Sequence, residues 1–463
     1  IHYLAQTARV AVIGAGISGL TCAFLLQKRG IPVVLLEQGD RIGGVIQTLR
    51  QDGFLFELGP QSFLGTAALH KLCEDLGLCE ELIEANPRAP RFVLAGGRLQ
   101  PLPMSPAALL RTQMLSTRAK FRLLTEPFRT TRPPDADESV ASFVRRKFGE
   151  ELLENFVAPF VSGIYAGDPE RLSLRSAFPS VFEWEKQFGS ILRGAIRSRP
   201  AKKAARPALS TFRKGLGTLT DALAARLGNQ IVTAAHISYL ARARRGSKDV
   251  YEIHVTLGTR ADVLMVDAVV VAIPTPSAAT LLSGMAAGLR QVLSRISYAP
   301  VALVGMGFRQ EQMSRPINGF GFLVTPKEHR QILGTVWNSS LFRGHAPKGM
   351  VSMTTFAGGA TNPEICTMSD SRIGQIVGRE IAELLGITGG PVTQMVWRHE
   401  GALPQYNLGH GDVVAELETE SHSLPGLFLT GNYLRGPSIG ACLEEADRTA
   451  QAVAGYLEAI DRG

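Results

Sequence analysis

The stretch RVAVIGAGISGLTCAFLLQKRGIPVVLLEQ, residues 9–38, leaves the chain few choices of fold. Arg9–Ile13 is a short β-branched run without alternation, which reads as a parallel strand buried on both faces. Gly14, Gly16 and Gly19 follow in the G-x-G-x-x-G spacing. Ser18–Arg29 then reads as a helix closed by Gly30, and Val33–Leu36 as a second strand ending at Glu37. Each glycine has a task. Gly14 permits the tight turn, Gly16 lets a pyrophosphate approach the backbone, and Gly19 lets helix pack on strand. The helix N-terminus turns free N–H groups and a positive dipole end towards phosphates, making Ala15, Ile17 and Ser18 candidate contacts as well. Glu37, followed by Gln38, can accept hydrogen bonds from ribose hydroxyls. Together these features predict a nucleotide-binding α/β domain.

The rest of the composition bounds the answer. The chain has 463 residues, 45% of them hydrophobic and 19% charged, enough apolar material for ordinary cores. A formal charge of +8 suits an anionic ligand or membrane surface. No aromatic-plus-basic module points to nucleic acid. Cys22, Cys73, Cys79, Cys366 and Cys442 are odd in number and scattered, which argues for a reducing compartment rather than a disulfide framework or zinc site. The longest apolar run, 263–273, contains Asp267 and is too short to span a bilayer. The first apolar run, Val10–Ile13, already belongs to a strand and leaves no room for a signal peptide. A soluble or membrane-surface protein is expected.

RIGG at 41–44, followed by Thr48, extends the fingerprint past the second strand. Arg41 can supply charge near a pyrophosphate, while Gly43 and Gly44, with Val45 after them, allow close passage under a large cofactor. This extension resembles the glutathione-reductase-like FAD proteins, especially the amine oxidase and phytoene desaturase superfamily. ELGP at 57–60 fits the same superfamily, whose chain returns beside the flavin, so Leu58, Gly59, Pro60 and Gln61 join the cofactor set. At the far end, 424–457 reads as a strand (Leu427–Thr430), a Gly-rich turn and a long helix from near Ser438. That helix start suits the pyrimidine side of a flavin; the bland reading is an ordinary C-terminal helix. The resemblance assigns Gly431, Asn432, Pro437, Ser438 and Ile439 to the flavin, and the position of Ile237 to adenine. Residues 230–240 read as a short strand segment, and 261–274 as one longer apolar strand. The cofactor domain is therefore expected to be discontinuous (8–90, 208–280 and 424–463).

PFVSGIYAGDPERLSLRSAFPS, 159–180, is too rich in small residues for a plain helix and too apolar for an exposed loop. It resembles the hallmark of the protoporphyrinogen oxidase family. TFRKGLGTL, NGFGFLVTPKE, TTFAGGATNPE, ALPQYNLGH and GNYLRGPSIGACLE resemble that family in the same order, over nearly the whole chain. The resemblance implies non-covalent FAD and three two-electron oxidations of protoporphyrinogen IX, with dioxygen as acceptor and hydrogen peroxide released. It places Gly163 against the macrocycle, Leu323 and Phe356 around a pyrrole ring, and Arg91 on a propionate, where a guanidinium can make two parallel hydrogen bonds. Taken alone, Leu323 and Phe356 read as core residues and Arg91 as a solvated charge. No Ser-His-Asp set, metal cluster or Cys-His pair is evident, and no general base is assigned.

Between 88 and 132, nine basic residues face Glu126 alone. Leu110, Met114, Thr117, Phe121 and Leu124 fall on one helical face, with Arg111, Arg118 and Arg122 beside them. Such a helix suits an anionic bilayer surface, or equally an inward face with a solvated edge. A second basic run, 193–214, contains no acid. The expected architecture adds a helical, membrane-associated domain (100–200) and a substrate domain (91–99 and 281–423). The expected location is cytoplasmic and peripheral, on the inner face of the cell membrane; a homodimer is implied by resemblance only. Rivals are coproporphyrinogen III oxidation within the family, a flavin amine oxidase, a carotenoid-desaturase-like enzyme and a non-catalytic porphyrin-binding flavoprotein. An amine oxidase with covalent FAD needs a cysteine near 390–410, where there is none, and the usual acid after the late glycine is Asn432 here. Arg435, Pro437 and Glu445 depart from the family pattern, and Arg435 is either a carboxylate partner or an outward-facing charge.

Overall fold

The computed structural model describes residues 7–198, 208–246 and 248–462. Five strands form a parallel sheet in the order Ile231–Val232, Val33–Leu36, Val10–Ile13, Ala268–Val271, Leu427–Leu429. Its three middle strands are buried throughout, as continuous Val/Ile/Leu runs require when both faces are covered. Helices Ile17–Lys28, Gly217–Leu227 and Ile439–Arg462 cover one face through Leu20, Leu26, Leu219, Leu223, Leu443 and Val453. The other face packs on an antiparallel sheet of His236–Arg245, Lys248–Leu257 and Arg260–Val266.

Two expected strands are each divided between these sheets. The 261–274 stretch breaks at Asp267, whose carboxylate accepts Arg9 Nε at 2.6 Å and whose N–H donates to the Arg9 carbonyl at 2.8 Å. Arg260–Val266 stays antiparallel while Ala268–Val271 enters the parallel sheet. The 230–240 stretch divides likewise, turning through Ala234 at φ +51°. Apolar residues lie on both sides of each break, so hydropathy alone does not reveal it.

A seven-stranded sheet runs Thr393–Pro404, Tyr298–Arg309, Met350–Gly358, Ile332–Val336, Gly321–Val324, Arg91–Ala95, Arg98–Pro101. One face is sealed by helix Asp370–Leu385, with Ala302, Val304 and Met353 against Ile373, Val377 and Ile381. The opposite face is only partly covered, and it becomes the floor of the candidate site.

Residues 106–197 are largely helical. Their centre is ionic: buried Lys147 lies 3.2 Å from Glu126, and Arg146 forks between Glu138 and Glu185. The single apolar stripe expected from Leu110 to Leu124 is not one helix. Pro106–Arg111 and Thr117–Leu124 are separate, and Met114 between them is buried against Val93 and Ala95. Arg122 turns inward to the carbonyls of Arg145, Arg146 and Lys147. Leu110, Phe121, Leu124 and Phe128 remain exposed. The middle of the 193–214 basic run, 199–207, lies outside the described residues. No helix among the described residues is long and apolar enough to cross a membrane.

Candidate active site

The N-terminal cradle is backbone packed on backbone. Gly14 has φ +103°, and a Cβ there would sit 2.7 Å from the Ala272 carbonyl. A Cβ on Gly19 would lie 1.9 Å from the Gly14 carbonyl. Gly16 is the opposite case: a Cβ would meet nothing within 4 Å, and no side chain caps the helix that it starts. Ala15, Ile17 and Ser18 therefore bracket an open backbone edge at a helix N-terminus. The Gly43–Gly44 turn closes on it, Gly43 N–H donating to the Ala15 carbonyl at 2.8 Å. Arg41 fastens that turn by donating to the Ile42 and Gly44 carbonyls. Glu37 accepts from Ala15 N–H at 2.7 Å and Gly39 N–H at 2.8 Å, with Gln38 exposed beside it. Ile237 lies across from Val255 where the strand register slips.

The chain then passes from cradle to floor. Phe54 and Phe56 lie over Gly307 and Gly305, where Cβ atoms would come within 2.5 and 2.7 Å of the rings. Between them and Gly59 is Glu57, 1% exposed, accepting from Leu216 N–H and Thr48 Oγ1 at 2.8 Å each. Burial pushes this carboxyl up to about 7, against those two hydrogen bonds. Gly59 presses on Val45, 2.0 Å separating a built Cβ from the Val45 carbonyl, and Pro60 follows, half-buried. Gln61 turns inward: it donates to the Glu57 and Gly59 carbonyls and accepts from Asn338, which accepts from Thr354. His399 joins the same loop, its Nε2 2.5 Å from the Leu58 carbonyl, and burial lowers its pKa.

The floor is assembled by register. Leu323 is paired with Gly334, Gly334 with Phe356, and Phe356 with Leu303, so one row crosses four strands. Paired residues share a face. Gly163 approaches from above, a Cβ there lying 2.6 Å from Leu323 Cδ2. Contrary to the sequence expectation, the start of the 159–180 segment is a helix, Ala158–Tyr165, entered through a π turn at Leu153–Val157. Its small residues serve the approach to Leu323, and Ala166 in the left-handed region ends it. Arg91 pairs with Gly321, two residues before Leu323, on the same face. Its guanidinium lies over Phe320 at 5.1 Å and has no carboxylate partner among the described residues. The structure thus brings together Arg91, Gly163, Leu323 and Phe356. Sequence reading missed Gly334, whose only signal is a small residue inside an apolar strand, and His399, which carries none.

At the far end, Gly431 and Asn432 follow the last parallel strand, Pro437 is half-buried, and Ser438 Oγ accepts Ala441 N–H at 3.2 Å to cap the helix at Ile439. Arg435 does not point into the floor. It makes two bonds to Glu445, at 2.7 and 2.8 Å, and one to Glu418 at 2.5 Å. Two of the three departures from the family pattern, Arg435 and Glu445, are each other's partner.

The family described as flavin containing amine oxidoreductase matches residues 17–454. The chain is 34% identical to the chloroplastic protoporphyrinogen oxidase of Nicotiana tabacum, over 96% of this chain and 85% of that one. It belongs to the protoporphyrinogen oxidase family. A coproporphyrinogen III oxidase of Bacillus subtilis (strain 168) is 30% identical, over 97% and 98%. A solved structure from Exiguobacterium sp. 255-15, provisionally assigned as a protoporphyrinogen oxidase, superposes with a TM-score of 0.83 at 26% identity, covering 98% of this chain and 99% of that one. The cofactor of this protoporphyrinogen oxidase family member is FAD. The cradle fits a dinucleotide, because the single open glycine, the uncapped helix start and Glu37 lie along one edge.

Proposed function

We propose that the chain oxidises protoporphyrinogen IX to protoporphyrin IX in three two-electron steps, with dioxygen as acceptor and hydrogen peroxide as product. The observation that carries this reading is the apolar floor of Leu323, Gly334 and Phe356 under Gly163, with Arg91 on the same face and without a carboxylate partner among the described residues. A large apolar macrocycle with carboxylates on one edge needs such a surface. Bound FAD would supply the redox chemistry, accepting electrons from the saturated ring for transfer to dioxygen. Glu37 holds the adenosine ribose, and the open edge at Gly16 the pyrophosphate. Residues 43–45, 58–61, 431–432 and 437–439 would surround the flavin. Arg91 pairs with a propionate, and Leu323 and Phe356 sandwich a pyrrole ring. His399 holds the Leu58 loop by donating from Nε2 to its carbonyl.

The second reading, coproporphyrinogen III oxidation, needs cations for four propionates instead of two. Arg435 was the candidate extra cation, and its bonds to Glu445 and Glu418 occupy it. That observation favours protoporphyrinogen. Paired aerobic assays, followed by porphyrin fluorescence, test the choice: faster turnover of protoporphyrinogen IX is expected, and a strong preference for coproporphyrinogen III overturns it.

We assign the cofactor domain to 8–90, 208–280 and 424–463, a helical domain to 100–200, and the substrate domain to 91–99 and 281–423. Exposed Leu110, Phe121, Leu124 and Phe128 beside Arg111 and Arg118 support peripheral attachment of the helical part to an anionic membrane surface. On an inner cell membrane this would set the floor near an apolar substrate. A homodimer rests on the resemblance alone.

A further inference from the structure

One phenol holds both ends of the turn that precedes the last helix. The Tyr406 hydroxyl donates to the Asn432 carbonyl at 2.6 Å and accepts the Gly436 N–H at 2.6 Å. A single O–H can do both, having one proton and two lone pairs. The ring is 1% exposed and stacks on His410, with centroids 4.1 Å apart and planes 13° from parallel. Burial raises the phenol's pKa and lowers that of His410 to about 4, so both stay neutral.

The neighbouring atoms reach the other wall of the site. Gln405 Nε2 donates to the Tyr165 carbonyl at 2.9 Å, at the end of the helix carrying Gly163. The Tyr406 carbonyl accepts Ser173 N–H at 2.8 Å, and the Tyr406 and Tyr165 rings lie 5.8 Å apart. Two consecutive residues thus touch the turn at 432–436 and the helix over the floor.

We infer that Tyr406 is a positioning residue: its hydroxyl clamps the 432–436 turn and so fixes the start of the Ser438 helix against the flavin. Gln405 registers the Gly163 helix to the same point. The inference rests on the proposed reading that Gly431, Asn432 and residues 437–439 meet the flavin. It assigns no chemical step to the phenol.

Tyr406→Phe keeps the ring and its stacking and removes only the hydroxyl, leaving a carbonyl and an N–H without their partner. Loss of two ordinary hydrogen bonds predicts FAD release from the holoenzyme about tenfold faster, read by the rise of free-flavin fluorescence. The visible flavin spectrum of the holoenzyme shifts as well, which a purely structural tyrosine would not cause. Ser438→Phe, which crowds the helix start directly, tests the reading underneath and is expected to speed release too. If Ser438→Phe speeds release while Tyr406→Phe changes neither release nor spectrum, the clamp is refuted. If neither variant changes release, the turn does not meet the flavin, and the clamp falls with that reading.

Discussion

The nucleotide cradle and the substrate floor are built by opposite means. In the cradle, residues close in sequence press backbone against backbone: a Cβ on Gly19 has the Gly14 carbonyl 1.9 Å away, and one on Gly59 has the Val45 carbonyl 2.0 Å away. Where the Ala158–Tyr165 helix meets the floor, residues far apart in sequence touch through a side chain, and the nearest atom to a Cβ on Gly163 is the tip of Leu323. A backbone oxygen cannot step aside, whereas a leucine methyl can rotate. The cradle should therefore fail as a unit, and the floor should degrade by degrees.

The largest effect is expected at Gly19. Gly19→Ala forces the helix off its strand, a packing conflict of at least ~1–3 kcal/mol. The purified protein should carry at most about a tenth of the normal flavin, by the ratio of visible to ultraviolet absorbance. Full flavin content would show that the cradle is as yielding as the floor.

Glu57 stands at the seam between the two regions and gives the next largest effect. Its folded pKa of about 7 lies above its ordinary 4.5, so the folded chain binds more protons than the unfolded chain between these values. Stability must then fall as pH rises from about 4.5 to about 7, by roughly 3 kcal/mol, and stay low above it. Glu57→Gln cannot ionise. Urea midpoints measured from pH 5 to 8 should lose this component of the slope in the variant, and an unchanged slope would place its cause elsewhere.

On the floor, Arg91→Ala removes charge-assisted bonds worth about 1.5–3 kcal/mol, so KM should rise roughly tenfold to a hundredfold with flavin content intact. Gly163→Ala should fold and hold flavin normally while raising KM about fivefold, because Leu323 shifts into the space the ring needs. Loss of flavin from Gly163→Ala would erase the contrast between the regions. The smallest effect belongs to Arg435→Ala. Glu445 keeps Arg448 at 2.9 Å, so stability should drop by only about 1 kcal/mol. The ratio of protoporphyrinogen to coproporphyrinogen turnover should not move.

The same contrast explains what could be read in advance. The cradle was legible because its meaning is local: Val33–Leu36 was found at its observed bounds, and the helix within one residue at each end. Leu323, Phe356, Gly163 and Arg91 came from resemblance to a family and not from pattern, since pairing across strands is invisible in one sequence. Gly334 was missed for that reason; its role exists only between Leu323 and Phe356. The strand break at Asp267 was not legible either, because it depends on Arg9, 258 residues away in sequence. Arg435 and Glu445 each looked anomalous alone and are ordinary as a pair. The Leu110–Leu124 stripe misled because helical spacing says nothing about the break that buries Met114.

In the proposed function this floor delivers a porphyrinogen to the flavin for oxidation. The most direct measurement is an anaerobic titration of the holoenzyme with protoporphyrinogen IX, following the visible flavin band. The account predicts bleaching by the substrate, slower in Arg91→Ala, and recovery on admitting air with hydrogen peroxide formed. A flavin band unchanged by saturating protoporphyrinogen IX would contradict it.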